Sequence, residues 1–306
     1  MTMKISVIIC TYNREKFLKL ALDSYKNQTL QPEGFEIIIV DNNSTDNTKK
    51  IVQKFIGENP SLDVRYVFEE RQGLSFARNR GIQEAKYEII TFVDDDAEAE
   101  KDFLKNLKSY FESDKKAMAV GGKVEPVFSS GKEPRWLSPY LWGLVTKIDY
   151  GNKVKPFPAN KYPVGCNMSF RREVFEKYGK FDTELGRIGR VGLASEEKDI
   201  FERLKTSGAK IMYLPNITVH HHIDDYRLEK SYIIKLCYGI GISEKIRTRK
   251  INFVEYLKKL SEFIFKFFAS VLIALGYILK GEFEKAKYVV LFRYYILKGF
   301  FKKENE

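Results

Sequence analysis

Two short β-branched runs near the N-terminus, KISVIIC over residues 4–10 and FEIIIV over residues 35–40, limit most severely how this chain can fold. Between them Leu18, Ala21, Leu22 and Tyr25 recur at helical spacing, which predicts a helix over 17–25 joining two strands. Strands this uniformly apolar are buried on both faces, so they pair in parallel through a helical crossover. The loops at their carboxyl ends are then free to meet a ligand. The alternation continues with a helix over 47–56, a strand over 64–68, a helix over 75–85 and a strand over 89–93. An α/β class with a parallel sheet follows for the first third of the chain.

The strand over 89–93 empties into three consecutive acids, Asp94, Asp95 and Asp96. Adjacent carboxylates repel and raise one another's pKa unless a cation or hydrogen-bond donors hold them charged. Hard oxygen ligands of this kind suit Mg²⁺ or Mn²⁺ bound together with a substrate phosphate. The plainer alternative is an acidic turn that caps the next helix. That helix is expected over 100–111, followed by a strand over 117–124. An irregular stretch then runs to about residue 160 with Gly131, Pro134, Pro139, Pro156 and Pro158, and such stretches usually line a site. A strand over 164–170, helices over 172–178 and 196–206, and a strand over 211–214 complete this part.

The net charge of +11 is unevenly placed: residues 226–306 carry 17 Lys and Arg against 8 Asp and Glu, so +9 of it lies in the tail. Long helical runs are expected over 231–250 and 253–279, and Lys266 is the only charge within FIFKFFASVLIALGYIL, residues 263–279. Seventeen residues sit at the lower limit for a spanning helix. The aromatic, basic segment 286–301 has the character of a helix lying in a membrane interface. An anionic membrane surface is the expected partner, with a helical cap or dimer interface as the alternative. Nucleic acid is not expected, because the charges are interleaved with apolar residues rather than clustered. Three cysteines without paired spacing fit a reducing compartment, and the N-terminal apolar run is too short for a secretory signal. The expected location is cytoplasmic, peripheral or monotopic on the inner face of the cell membrane.

Several separated motifs occur in one order: Cys10-Thr11-Tyr12-Asn13, the DNNSTD run from Asp41 to Asp46, GLSFARNRG from Gly73 to Gly81, the triple Asp, VGCNMSFRR from Val164 to Arg172, Gly179-Lys180-Phe181-Asp182, Ser195-Glu196-Glu197-Lys198-Asp199, and Pro215 followed by His220 to His222. Together they resemble the family-2 glycosyltransferases over residues 4 to about 240. The resemblance implies a GT-A type fold: a Rossmann-like nucleotide-binding half over 1–97, an acceptor half over 98–225, and a C-terminal helical extension over 226–306.

The resemblance also implies roles. Thr11, Tyr12, Asn13 and Asp41 fall where the nucleotide base is held, Arg78 supplies charge near the phosphates, Asp95 contacts the ribose, and Asp94 stands beside it among the nucleotide-binding residues. Asp96 and His221 are the implied metal positions, with Mn²⁺ or Mg²⁺ as cofactor. Glu197 stands where the base is usually an Asp, which leaves Glu196 and Asp199 as rivals. The implied reaction is inverting transfer of one sugar from a nucleotide-sugar donor, most often a UDP-sugar in this family, to a saccharide or lipid-linked acceptor in glycan or polysaccharide assembly. The Gln-x-x-Arg-Trp element of processive synthases is missing, since no Gln stands at the required place before Arg135-Trp136. A nucleotidyltransferase and a non-catalytic membrane-bound nucleotide-sugar binder remain alternatives; the first lacks an N-terminal basic Gly-rich triphosphate loop.

Overall fold

The computed structural model describes residues 3–186 and 195–302. The outer ends of the two expected regions, and residues 187–194 of the acceptor half, lie outside the described residues. The chain divides into two compact units, one of Met1–Val127, Thr146–Thr183 and Glu196–His222, the other of Phe128–Val145, Glu184–Ser195 and Ile223–Glu306.

The first unit is built on a mixed sheet. Its leading elements alternate: β1 (Ile5–Thr11), α1 (Glu15–Lys26), β2 (Phe35–Asp41), α2 (Thr48–Glu58), β3 (Val64–Phe68), α3 (Leu74–Glu84) and β4 (Ile89–Asp94). Then come β5 (Ala97–Ala99), α4 (Phe103–Ser113), β6 (Ala117–Phe128), β7 (Lys155–Pro156), β8 (Met168–Arg171), α5 (Glu173–Tyr178), α6 (Glu196–Thr206) and β9 (Lys210–Ile223). The sheet runs β3-β2-β1-β4-β8-β6-β9-β5, with β7 against β9. β1 to β4 pair in parallel, and β8 turns the sheet antiparallel at Ile89↔Arg171.

The β-branched residues of β1 and β2 explain the parallel core. Val7, Ile8 and Ile9 face Ile37, Ile38 and Ile39 across the pair, all shut off from solvent. Leu18, Leu22 and Tyr25 of α1 join that core. On the other side Phe92 meets Phe170, Phe175 and Phe181 edge-on, with ring centroids 6.1, 6.1 and 5.4 Å apart. Edge-to-face packing of this kind adds about 0.5–1.5 kcal/mol per pair beyond burial. The register Thr11↔Asp41 and Cys10↔Asp94 aligns the carboxyl ends of β1, β2 and β4, so their loops emerge together.

Two stretches depart from expectation. Residues 164–170 are not one strand: a 3₁₀ turn at Gly165–Asn167 precedes β8. β9 is fourteen residues long rather than four, because it changes partners along its length. It pairs β7 at Met212 and Tyr213 and β5 at Val219 to His221, and Pro215 falls between these two pairings.

The second unit contains α7 (Lys230–Ile251), α8 (Phe253–Leu279) and α9 (Phe283–Phe300). Glycines let α7 and α9 touch backbone to backbone: a methyl on Gly241 would strike the Ile296 carbonyl, and one on Gly299 the Tyr238 carbonyl. Trp136 stacks on Tyr288 at 5.0 Å, and Ile233, Cys237, Phe263, Ile296 and Phe300 fill the space between the helices. α8 begins on Asn252, whose side chain accepts from the Glu255 N–H. α8 is the one helix, among the described residues, long and apolar enough to cross a membrane, and its most apolar stretch is only 17% buried.

Candidate active site

β4 delivers the three acids to the sheet's carboxyl edge. Asp94 stays partly exposed, while Asp95 and Asp96 are buried. The short strand β5 folds straight back on β9 and pairs Ala97 with His221. Side chains alternate along a strand, so the three histidines separate. His221 is buried, its Nε2 3.1 Å from Asp96 Oδ1. His220 lies near Glu100 and Glu125, and His222 pairs with Glu98 and stacks on Phe17. One ligand atom each from Asp94, Asp96 and His221 falls within 4.8 Å of the others. Two carboxylates and an imidazole form a donor set that fits a divalent cation. Asp94, expected among the nucleotide-binding residues, thus stands in the same trio as Asp96 and His221.

Asp95 points to a different neighbour. The Arg14 guanidinium pairs with Asp96 and approaches Asp95 to 3.6 Å. Burial pushes the Asp95 carboxyl up to about 7; the Arg14 charge opposes that rise and the Asp96 charge adds to it.

The second cluster centres on Arg78, which is 2% exposed and lies over the Phe181 ring at 5.4 Å. Its two terminal nitrogens donate to Glu196 Oε1 at 2.7 Å and Glu197 Oε1 at 3.0 Å, and one lies 3.9 Å from Asp94. α3 therefore ties the first turn of α6 to the acidic loop. Gly165 makes this possible, because a methyl there would collide with both the Arg78 guanidinium and the Glu197 carboxylate. Asn167, two residues on, fixes the turn by donating to the carbonyls of Lys123 and Ile217.

The three candidate bases differ in availability. Glu196 is buried against Arg78, and Asp199 is held by both Nε and Nη2 of Arg203 at 3.0 and 2.9 Å. The Glu197 side chain keeps 22% of its surface exposed. Burial raises its carboxyl to about 7, with Arg78 opposing and the charges of Glu196 and Asp94 reinforcing the rise.

Where the strands β1 and β2 end, Thr11 and Asp41 are register partners, and the Thr11 carbonyl accepts the Asn42 N–H at 2.9 Å. Asp41 is buried; Oδ1 accepts from the Ser44 N–H and Oδ2 from the Tyr66 hydroxyl, each at 2.8 Å. Tyr12 is half-buried, and Asn13, at φ 51°, accepts the Thr45 N–H with its side chain. Thr11 and Asp41 thus lie at the ends of β1 and β2, and Arg78, Glu197, the acids and His221 meet at the neighbouring end of β4, whereas Asp199 is turned to Arg203.

Sequence reasoning passed over three residues that organise this edge. Arg14 sits on the acids. Asn42 donates to the carbonyls of Glu69 and Arg71 and accepts from the Gly73 N–H, pinning the loop that leads into α3. Gly165 was visible within a motif, but its close approach depends on side chains far away in sequence.

The profile described as Glycosyl transferase family 2 matches residues 6–179. The chain is 28% identical over 248 residues to the glucosyl-dolichyl phosphate glucuronosyltransferase of Haloferax volcanii, covering 80% of this chain and 77% of that protein. It is 24% identical over 259 residues to the dolichyl N-acetyl-alpha-D-glucosaminyl phosphate 3-beta-D-2,3-diacetamido-2,3-dideoxy-beta-D-glucuronosyltransferase of Methanococcus voltae, with coverages of 80% and 74%. Among solved structures it resembles the mannosyltransferase PcManGT from Pyrobaculum calidifontis, in complex with GDP-Man and Mn²⁺, with a TM-score of 0.63 at 18% identity over 98% of this chain and 86% of that one; this likeness speaks for the GT-A fold. The chain belongs to glycosyl transferase family 2 and is a glycosyltransferase.

Proposed function

We propose that this glycosyltransferase moves one sugar, with inversion, from a nucleotide-sugar donor to a lipid-linked saccharide at a membrane surface. The observation that carries this reading is the meeting of Asp94, Asp96 and His221 with the Arg78–Glu197 pair at one sheet edge. Two relatives named for dolichyl phosphate-linked sugars support the acceptor class. A UDP-sugar is the proposed donor.

Glu197 takes the proton from the acceptor hydroxyl as its oxygen attacks the anomeric carbon. A carboxyl titrating near 7 is a stronger base than an ordinary glutamate and is still ionised at neutral pH in a useful fraction. Arg78 holds Glu197 in place and brings positive charge toward the diphosphate. Thr11, Asn13 and Asp41 bind the base, on which Tyr12 stacks, and Asp95 accepts from the ribose. Asp94, Asp96 and His221 would hold a divalent cation, which when bound neutralises charge on the departing nucleoside diphosphate. Residues 1–225 form the catalytic region, with the nucleotide half over 1–97, and residues 226–306 attach it to the cytoplasmic face of the membrane. Phe265, Phe268, Leu272, Leu275 and Leu279, each more than half exposed on α8, support that attachment.

Incubating the full chain with labelled UDP-sugars, Mn²⁺ and a polyprenyl phosphate-linked sugar tests the reading. Labelled lipid with release of UDP is the expected result; release of pyrophosphate, or donor binding without any transfer, would contradict it.

A further inference from the structure

Arg14 occupies an odd place. It is the residue from which α1 starts, where the helix N-terminus carries partial positive charge and Asp, Asn, Ser or Thr are preferred. Its side chain makes no cap hydrogen bond to the helix. Instead the guanidinium spans the two buried acids, paired with Asp96 and 3.6 Å from Asp95 Oδ1. The side chains of Asp96 and Asp95 are 3% and 9% exposed, whereas that of Arg14 retains 22% of its surface in solvent. The acids sit in the short turn between β4 and β5; the arginine sits on a long side-chain stem at the rim.

Arg14 takes Oδ2 of Asp96 while His221 approaches Oδ1, so a cation held by Asp96 and the guanidinium compete for the charge of one carboxylate. We propose that Arg14 is a built-in counter-ion of the Asp95–Asp96 pair, which a divalent cation must displace, so that Arg14 sets how tightly the acidic loop binds metal. The proposal rests on the metal reading of that loop. Its logic is that of any binding site whose open form is a minority: affinity falls by the open fraction, so a site closed ten times out of eleven binds about tenfold more weakly. Arg14 keeps its charge throughout; only its partner changes. Once displaced, it remains at the rim as positive charge available to an incoming anion, which would favour loading of metal together with a diphosphate over metal alone.

The test is Mn²⁺ binding to the full chain without nucleotide, read from the electron paramagnetic resonance signal of the free ion, for the parent and for Arg14→Gln. The variant is expected to bind Mn²⁺ about tenfold more tightly. Arg14→Lys, which keeps the charge but loses the planar fork, covers the case in which Arg14→Gln fails to fold, and its affinity should lie between the two. Equal or weaker binding by the folded variant overturns the proposal while leaving the metal reading intact. If neither parent nor variant binds Mn²⁺, the metal reading itself falls, and the proposal with it.

Discussion

Asp96 stands between an imidazole and a guanidinium, and its carboxylate is the point through which a cation would reach this site. Asp96→Ala should therefore lower transfer by on the order of 10³-fold, several kcal/mol of lost charge neutralisation, with an unchanged far-UV circular dichroism spectrum. Glu197 gives a second prediction with a definite sign. A base must be deprotonated to act, and its carboxyl is raised to about 7, so kcat should climb with pH through neutrality and fall about tenfold per unit well below it. Glu197→Gln should remove roughly 10²–10⁴-fold of kcat together with that limb of the profile; a profile that keeps its shape would point to Glu196 or Asp199 instead. At this scale the sequence said much about which residues matter and little about why. The triple Asp and the Glu-Glu run could be read directly, whereas Arg14, one residue past a familiar stretch, gained meaning only when β4 placed the acids across from it.

Single elements carry the next level of the account. β5 is three residues long, sits within an acidic run and has no periodicity to reveal it, yet its pairing with β9 selects His221 from three adjacent histidines. β9 was legible only up to Pro215, since proline is an ordinary end signal, and the change of partner that carries the strand past it is a tertiary fact. The parallel strands β1, β2 and β4 were plain because buried parallel strands leave uninterrupted apolar runs. The turn at Gly165 joins β8 to the site by close approach rather than by any chemical group. Gly165→Ala should push Arg78 and Glu197 apart, cost about 1–3 kcal/mol of stability by overpacking and lower kcat roughly 10²-fold. Thermal unfolding and steady-state kinetics read the two effects separately, and an alanine variant with parental kcat would show that this spacing is immaterial.

At the scale of the whole molecule, the tail's composition announced helices and an apolar face, and both are present. What it could not announce is how α7 and α9 meet, because Gly241 and Gly299 signal contact only when their partners are known. Removing α8 and α9 would strip the packing from Ile233 and Cys237, so surface substitutions test membrane attachment better than truncation. Phe265→Glu with Leu272→Glu alters two side chains that are 74% and 70% exposed. The pair should weaken binding to anionic vesicles by on the order of 10²-fold while leaving donor binding alone; undiminished vesicle binding would place attachment elsewhere. The reading as a whole turns on a nucleotide sugar being held jointly by strand-end residues and a cation on the acidic loop. Thermal shift of the full chain across a panel of nucleotide sugars, with and without Mn²⁺, in the parent and in Asp96→Ala, tests that most directly. The expected result is a donor that raises the melting temperature of the parent only when Mn²⁺ is added and fails to do so in Asp96→Ala. Equal stabilisation without metal, or in the variant, would contradict it.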